Sequence, residues 1–208
     1  PGNGKLISRT PLSLIPNSYR DDICRVRNFN GNTFTHDNHF IKDNSSIYGF
    51  SGTGIVFKAD SNSGNLLWAK GFQKPSLSNE DSILNEMASS TSGYINIYED
   101  VIVVYMPETR SFSALNKNTG EIIWKTNVHK PRFLHDRGKS NFLYFSNDSI
   151  KSGPMIYKVD PKNGAIIWQK SSNGLHISGE GDLFGNKLYI PSAKAIFVLD
   201  EVNGDLLE

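Results

Sequence analysis

The clearest pattern in the chain is a strand-turn-strand unit that recurs four times. In each copy, apolar and polar residues first alternate as they do in a β-strand with one buried face. The alternation stops at a turn rich in Asp, Asn and Gly, and a short apolar run follows it. The copies are VFKADSNSGNLLW (56–68), FSALNKNTGEIIW (112–124), IYKVDPKNGAIIW (156–168) and IFVLDEVNGDLLE (196–208), and they align without a gap. The pattern predicts one β-hairpin in each copy.

The turn glycines set the repeat length. Separated by 56, 44 and 40 residues, they are Gly64, Gly120, Gly164 and Gly204. A period of roughly 40 residues is that of one four-stranded propeller blade. Two further strand candidates precede the hairpins, for example 94–97 with 101–105, and 175–178 with 187–190. Four strands per repeat are therefore expected.

The predicted fold class is all-β, a β-propeller of four-stranded blades with about four blades visible. The predicted repeats are 38–72, 93–127, 131–170 and 174–208. Residues 1–37 form a predicted N-terminal segment, in which 22–26 is the tail strand of a preceding blade with Arg25 at the tryptophan position of the motif.

A tryptophan follows the turn glycine by four residues in three of the copies. The three are Trp68, Trp124 and Trp168, and the fourth copy has Glu208 at this position. A large ring at one fixed position of successive repeats can cover the gap between neighbouring sheets. Together with the turn glycines, these tryptophans are the predicted structural residues of the repeat.

The motif hydrophobic-x-x-Asp/Asn-x-x-x-Gly-x-hydrophobic-hydrophobic-Trp resembles the tryptophan-docking repeat of the pyrroloquinoline-quinone-like β-propellers, which have a WD40-like fold. The resemblance covers the chain from about residue 38 onward and is greatest to the non-enzymatic lipoprotein type that assists outer-membrane β-barrel assembly. It implies a ring of about six to eight blades, to which this chain contributes about half.

The resemblance also implies a function. It implies a non-catalytic scaffold in the periplasm or cell envelope that binds proteins through its propeller loops or by β-augmentation. The remaining blades or a second chain are expected to complete the ring. Residues 1–16 show neither the apolar core nor the cleavage site of a signal peptide.

Two other classes of protein with similar repeats are alternatives. Quinone-dependent dehydrogenases share these repeats, and many that oxidise alcohols carry adjacent cysteines under a cofactor bound with calcium. Cys24 is the only cysteine here, so no cofactor is predicted. Lumenal propeller sensor modules also resemble the repeats, and the sequons at Asn44 and Asn147 are compatible with a secretory route.

Charge and hydropathy exclude two classes of partner. The net charge is +1, and no run of like charges suggests the basic surface that nucleic acid requires. The longest apolar stretches, such as 101–106, are far shorter than the roughly 20 residues that span a bilayer. We predict neither nucleic-acid binding nor a membrane span.

The candidate chemical motifs all have simpler interpretations. The glycines in 49–54 belong to a predicted strand-turn-strand unit and open no helix, so they do not predict a phosphate loop. His36 and His39 could pair with His129 and His135 on a metal, but a solvated polar loop accounts for them better, since nothing in the sequence brings the second pair close. No Gly-x-Ser-x-Gly motif occurs. We predict no catalytic, cofactor-binding or metal-binding residue, and hence no enzyme.

An insertion at 73–93 lengthens the first interval between turn glycines. Ser78 could cap a short helix that places Ile83, Leu84 and Met87 on one face. The sequence supports either an interaction insertion built on these four residues or a plain connector. The ends of the repeat array, 21–28 and 195–208, are expected to pair with strands from further blades or a second chain.

Overall fold

The computed structural model describes residues 40–51, 54–72, 93–106, 109, 111–128, 131–133, 141–149, 153–172, 177, 181–192 and 194–207. Within these ranges every regular element is a β-strand. The strands form four antiparallel sheets, each built from consecutive strands. We call these sheets blades 1 to 4 in chain order. The predicted all-β architecture of four-stranded blades is confirmed, with four strands described in blades 1 to 3 and three in blade 4.

The strand boundaries follow the hairpins of the sequence. Blade 1 contains β1 (Phe40–Asp43), β2 (Ser46–Ser51), β3 (Ile55–Asp60) and β4 (Leu66–Gly71). Blade 2 contains β5 (Tyr94–Tyr98), β6 (Val101–Met106), β7 (Ser111–Asn116) and β8 (Ile122–Asn127). Blade 3 contains β9 (Pro131–Phe133), β10 (Leu143–Ser149), β11 (Gly153–Val159) and β12 (Ile166–Ser171). Blade 4 contains β13 (Asp182–Phe184), β14 (Lys187–Pro191) and β15 (Ile196–Asp200).

One predicted strand lies mostly outside the described residues. The sequence suggested 175–178 as the first strand of blade 4, but only Ile177 of these is described, and it makes an isolated bridge to Ser192. The first described strand of blade 4 is β13 at Asp182–Phe184. A tight turn at Gly185, which has a φ of 61°, brings β13 directly against β14.

The cores lie between the blades. Strand β6 shows this most clearly, because all six of its residues are buried. Ile102, Val104 and Met106 pack with side chains of blade 1, and the alternate residues of β6 pack with blade 3. A strand covered on both faces reads as a continuous apolar run, which explains the sequence VIVVYM. A third core joins blades 3 and 4.

The outermost described strands β4, β8 and β12 carry a β-bulge at the same repeat position. In blade 1, Ala59 pairs with Leu66 and Lys58 pairs with Trp68, so Leu67 is the extra residue. Ile123 and Ile167 are the extra residues of blades 2 and 3. A bulge increases local twist and re-aims the next side chain. Here the next side chain is the tryptophan.

Candidate functional site: the blade seams and the outer rim

Each hairpin turn is held by one Asp or Asn side chain. In blade 1, the Asp60 carboxylate accepts hydrogen bonds from the backbone N–H groups of Asn62 and Ser63 at 3.1 and 2.7 Å. Those bonds, with the Ser63 hydroxyl contributing, hold the pKa of Asp60 below its ordinary value. The same arrangement occurs at Asn116 and Asp200. The turns are therefore held by hydrogen bonds within each hairpin and do not depend on contacts between blades.

The tryptophans dock on these turns across the seams, by which we mean the contacts between adjacent blades. The rings of Trp68, Trp124 and Trp168 lie on Gly120, Gly164 and Gly204 of the following blade. A Cβ added to these glycines would lie 2.7, 2.9 and 2.8 Å from the indole ring, respectively. The glycine is thus needed twice, for its positive φ and for the close approach of the ring.

Each indole N–H also donates a hydrogen bond to the receiving turn. The acceptor is the backbone carbonyl three residues before the turn glycine. The acceptors are Lys117 at 3.4 Å, Pro161 at 2.8 Å and Glu201 at 3.1 Å. Ring packing and this hydrogen bond together orient one blade on the next.

The glycine requirement can be measured by replacing Gly164 with alanine. Gly164 has a φ of 75°, and its new Cβ would lie 2.9 Å from Trp124. We expect the free energy of unfolding to fall by about 2 to 4 kcal/mol from backbone strain and displacement of the ring. Urea denaturation provides the measurement.

Gly185→Ala is the matched control for this substitution. Gly185 has a φ of 61°, but a Cβ there would have open space around it. Gly185→Ala should therefore lower the free energy of unfolding by the backbone strain alone, about 1 to 2 kcal/mol. Equal losses for the two variants would contradict a role for the Trp124 contact.

Ion pairs cross two of the seams from the same turns. Lys117 Nζ of blade 2 lies 3.0 Å from the Asp43 carboxylate of blade 1. Lys162 Nζ of blade 3 lies 2.8 Å from the Glu99 carboxylate of blade 2. The hydrogen bond with Asp43 raises the pKa of Lys117. In both cases the outer turn of one blade reaches back to the inner hairpin of the preceding blade.

The seam between blades 3 and 4 contains a buried ion pair instead. Lys158 Nζ lies 2.6 Å from the Glu201 carboxylate, and the Lys158 side chain is only 5% exposed. The Tyr144 hydroxyl donates a hydrogen bond to the same carboxylate. Burial raises the pKa of Glu201, but the hydrogen bonds from Lys158 and Tyr144 and the lysine charge outweigh it, so the net pKa is lowered.

The three seams thus share the tryptophan contact but differ in their polar partners. The residue cross-strand from the tryptophan is Lys58 in blade 1, Ala114 in blade 2 and Lys158 in blade 3. A tyrosine accompanies the lysine in both cases. The ring centroids of Tyr48 and Trp68 are 6.4 Å apart, and those of Tyr144 and Trp168 are 6.3 Å apart. Such differences make each seam specific for its own pair of blades.

Exposed aliphatic side chains recur along the outer strands of the described blades. The bulged residues Leu67, Ile123 and Ile167 are 55%, 45% and 49% exposed. Three further aliphatic side chains at the preceding motif position are exposed as well, namely Ile122, Ile166 and Leu206. Exposed aliphatic side chains that recur at one position in successive blades are typical of a contact surface. We call this surface the outer rim.

The structure describes only some of the residues predicted to be structural or to mediate interactions. The turn glycines Gly64, Gly120, Gly164 and Gly204 all have φ between 71° and 75°. The interaction insertion with Ser78, Ile83, Leu84 and Met87 lies outside the described residues, as do Cys24, residues 21–28 and the candidate histidines. Of 195–208, the described part forms β15 and a bridge from Leu206 to Leu199.

Sequence reasoning missed the polar seam residues and the outer rim. Lys158 and Glu201 are 43 positions apart, and nothing local links them. The rim did leave a signal, since an aliphatic residue precedes the tryptophan in all three copies that have one. The sequence predicted a short apolar strand here without indicating which of its side chains face water, and the bulge exposes this position.

Two searches of the described residues were negative. No helix there is long and apolar enough to cross a membrane. No group of three or more His, Cys, Asp or Glu side chains in that part of the chain could hold a metal ion.

Comparison with known families explains the repeated seams. The model of the family described as outer membrane protein assembly factor BamB matches residues 52–207, about three quarters of the chain. The chain belongs to this family. The resemblance to pyrroloquinoline-quinone-like repeats of the assembly-lipoprotein type is confirmed.

Solved structures with the same fold come from several functional classes. BamB from Moraxella catarrhalis is 17% identical, with a TM-score of 0.53 over 82% of this chain and 48% of that chain. Quinohemoprotein alcohol dehydrogenase from Comamonas testosteroni is 12% identical, with a TM-score of 0.57 over 81% and 34%. The computationally designed Ika8 protein is 16% identical, with a TM-score of 0.55 over 83% and 50%.

These likenesses establish the fold alone, because the identities are low. The chain spans half or less of the length of each of these structures. An assembly factor and a dehydrogenase both use this propeller, so the fold does not choose between a scaffold and an enzyme.

Proposed function

We propose that this protein is a non-catalytic β-propeller scaffold that binds other proteins in the cell envelope during outer-membrane protein assembly. The observation that carries the proposal is the match of residues 52–207 to the assembly-factor family. The proposal places the protein in the periplasm, and its partners are proteins.

The outer rim gives this proposal a physical basis. A scaffold needs a rigid frame, and the docked tryptophans and cross-seam ion pairs supply one. It also needs exposed apolar groups whose burial favours association. Ile122 and Ile123 of β8 are 42% and 45% exposed, so a partner that covers them removes apolar surface from water.

The rim is tested by making Ile122→Lys and Ile123→Lys together. The probe is a purified outer-membrane β-barrel polypeptide presented unfolded at low denaturant concentration, and the readout is its equilibrium affinity for the chain. We expect the double variant to bind at least about 10-fold more weakly, because two apolar contacts become charged.

The matched control is Thr126→Lys, which adds a lysine on the same strand at an exposed position beyond the bulge. It should bind as the unchanged chain does. If all three proteins bind equally, the rim is not the contact surface. If the unchanged chain does not bind the barrel polypeptide at all, the scaffold proposal itself is contradicted.

A segment of a quinone-dependent dehydrogenase is the second candidate, favoured by the structural likeness to quinohemoprotein alcohol dehydrogenase. The residues of this chain do not fit the quinone cofactor and its calcium ion. The sequence has a single cysteine, and the described residues contain no cluster of metal-ligating side chains. We therefore derive no reaction step. Equilibrium dialysis with pyrroloquinoline quinone and calcium separates the candidates, and stoichiometric calcium-dependent binding would replace the scaffold with the dehydrogenase.

A further inference from the structure

We propose that the seam between blades 1 and 2 binds a carboxylate, held by the ammonium groups of Lys58 and Lys117 and the hydroxyl of Tyr48. The ligand is either a free carboxylate or an acidic side chain of a bound protein. The inference does not depend on the proposed function. It rests on a comparison with the seam between blades 3 and 4, where the chain itself supplies a carboxylate.

Blades 1 and 3 present the same row of three side chains to the blade that follows. The row is Tyr48, Lys58 and Trp68 in blade 1, and Tyr144, Lys158 and Trp168 in blade 3. The lysine ammonium lies 5.4 Å from the centroid of the tyrosine ring in blade 1 and 6.0 Å from it in blade 3. The tyrosine and tryptophan rings are inclined by 50° and 47°. The two rows therefore have nearly the same geometry.

In the seam between blades 3 and 4, the side chain of Glu201 binds to this row. Its carboxylate accepts hydrogen bonds from Lys158 Nζ at 2.6 Å and from the Tyr144 hydroxyl. An ammonium and a hydroxyl both donate, and a carboxylate only accepts, so the three groups match in charge and in hydrogen-bonding capacity. A carboxylate is therefore the ligand that the row takes when the chain provides one.

In the seam between blades 1 and 2, a lysine stands at the position of this glutamate. Lys117 aligns with Glu201 in the repeat, and the backbone carbonyls of both residues accept the indole N–H from the preceding blade, at 3.4 and 3.1 Å. The Lys117 side chain lies elsewhere, since its Nζ donates to the Asp43 carboxylate at 3.0 Å. The backbone of the receiving turn is thus the same in both seams, but the carboxylate is replaced by a second cation.

The row of blade 1 consequently has donors without the acceptor found in blade 3. Among the described residues, no carboxylate forms an ion pair with Lys58. In the same part of the chain, the Tyr48 hydroxyl forms no hydrogen bond. Tyr48 is only 1% exposed, and Lys58 is half-buried. A ligand that accepts from both groups satisfies donors that water reaches poorly.

The charges around the row leave one cation uncompensated. The hydrogen bond from Asp43 is the main cause that raises the pKa of Lys117, and Tyr48 and Asp100 add to it. Asp43 therefore compensates the charge of Lys117, and Asp100 is exposed to solvent. The charge of Lys58 is left for a ligand to neutralise. A half-buried cation without a counter-ion favours the binding of an anion.

The site is tested by titrating the full chain with sodium acetate at pH 7, replacing sodium chloride at constant ionic strength. The readout is the ¹³Cε signals of the lysines in ¹³C-lysine-labelled protein. We expect the signals of Lys58 and Lys117 to shift together and to saturate, because both ammonium groups contact the bound carboxylate. The signals of Lys162 and Lys170, which already pair with exposed carboxylates, should not follow this curve. Equal, non-saturating shifts of all four lysines would overturn the proposal.

Two substitutions at one position test whether the missing acceptor defines the site. Lys117→Glu supplies from the chain the carboxylate that blade 4 has, so acetate should bind at least about 10-fold more weakly at Lys58. Lys117→Gln is the matched control, because it removes the same cation without supplying a carboxylate, and Lys58 should still respond to acetate. Equal acetate affinities of the two variants would contradict the assignment. If either variant does not fold, the titration of the unchanged chain still decides.

The source of the carboxylate is identified with the barrel polypeptide that tests the proposed function. If its acidic side chains are the ligand, Lys58→Met and saturating acetate should each weaken its binding at least about 10-fold. Lys187→Met, at an exposed position of blade 4, is the matched control and should leave the affinity unchanged. Unchanged affinity in Lys58→Met, with acetate bound as expected, identifies a free carboxylate as the ligand. The acetate titration needs no polypeptide, so its failure is distinguishable from failure of the scaffold proposal.

Discussion

Replacing Trp168 with alanine should lower the free energy of unfolding by about 3 to 5 kcal/mol. Trp168 is the most buried of the three tryptophans, with 8% of its surface exposed. Its ring packs on Gly204 and lies 6.3 Å from the ring of Tyr144, centroid to centroid. The substitution leaves a cavity between blades 3 and 4 and removes the donor to the Glu201 carbonyl. Urea denaturation followed by circular dichroism measures the loss.

The variant Trp168→Phe distinguishes the contribution of the ring contact from that of the indole hydrogen bond. Phenylalanine retains much of the apolar contact but cannot donate to the carbonyl, which still accepts from Lys158 Nζ at 3.0 Å. We expect it to cost about 1 to 2 kcal/mol, clearly less than alanine. A loss below about 1 kcal/mol for Trp168→Ala would show that the ring is not an essential part of the seam.

Glu201→Ala should cost about 2 to 3 kcal/mol because it leaves the Lys158 charge buried without its partner. The usual cost of breaking a buried pair is about 3 to 5 kcal/mol, and we reduce it because the Glu201 side chain is 18% exposed. The double variant Lys158→Met, Glu201→Gln removes the charge as well as the pair. Its free energy of unfolding should be closer to that of the unchanged chain than the value for Glu201→Ala is.

The chain itself offers a precedent for a seam with no charged pair at the positions of Lys158 and Glu201. Between blades 2 and 3, Ala114 and Pro161 stand at the positions of Lys158 and Glu201. That seam nevertheless receives Trp124 with an indole hydrogen bond of 2.8 Å. If the double variant is less stable than Glu201→Ala, the pair contributes more than the removal of an isolated charge explains.

The same pair makes stability depend on pH in a defined direction. The folded pKa of Glu201 is lowered from its ordinary value of 4.5, so folding favours the ionised carboxylate. Its contribution is therefore present above pH 4.5 and is lost as the pH falls through the lowered folded pKa. Urea titrations from pH 7 to pH 3 should show a smaller acid-induced loss in the double variant, which lacks this carboxylate.

The parts of the fold that could be predicted depend on local rules. The Asx turn and the positive φ at Gly120 need only residues within one hairpin, and the alternation in 112–116 needs only one strand. The recurrence of these features strengthened each single assignment. The strand β13 at Asp182–Phe184 shows the limit, because the sequence did not predict it and its pairing with β14 is what selects these residues.

Less of the candidate site than of the fold could be predicted from the sequence. The tryptophans and glycines could be recognised because they recur at a fixed spacing. The Lys117–Asp43 and Lys158–Glu201 pairs could not, since each joins residues more than 40 positions apart. The exposed rim was missed because the one-residue bulge turns Leu67, Ile123 and Ile167 outward, and period-two alternation does not reveal a bulge.

The sequence by itself determined the repeat, the hairpins, the glycines that take a positive φ and the family to which the chain belongs. Each of these follows from interactions within a few residues, or from their recurrence along the chain. The tertiary structure alone decided that each tryptophan lies on the turn of the next blade, which ion pairs close each seam and which aliphatic side chains remain in water. These outcomes depend on where two sheets meet, and that position is fixed by packing over long sequence distances.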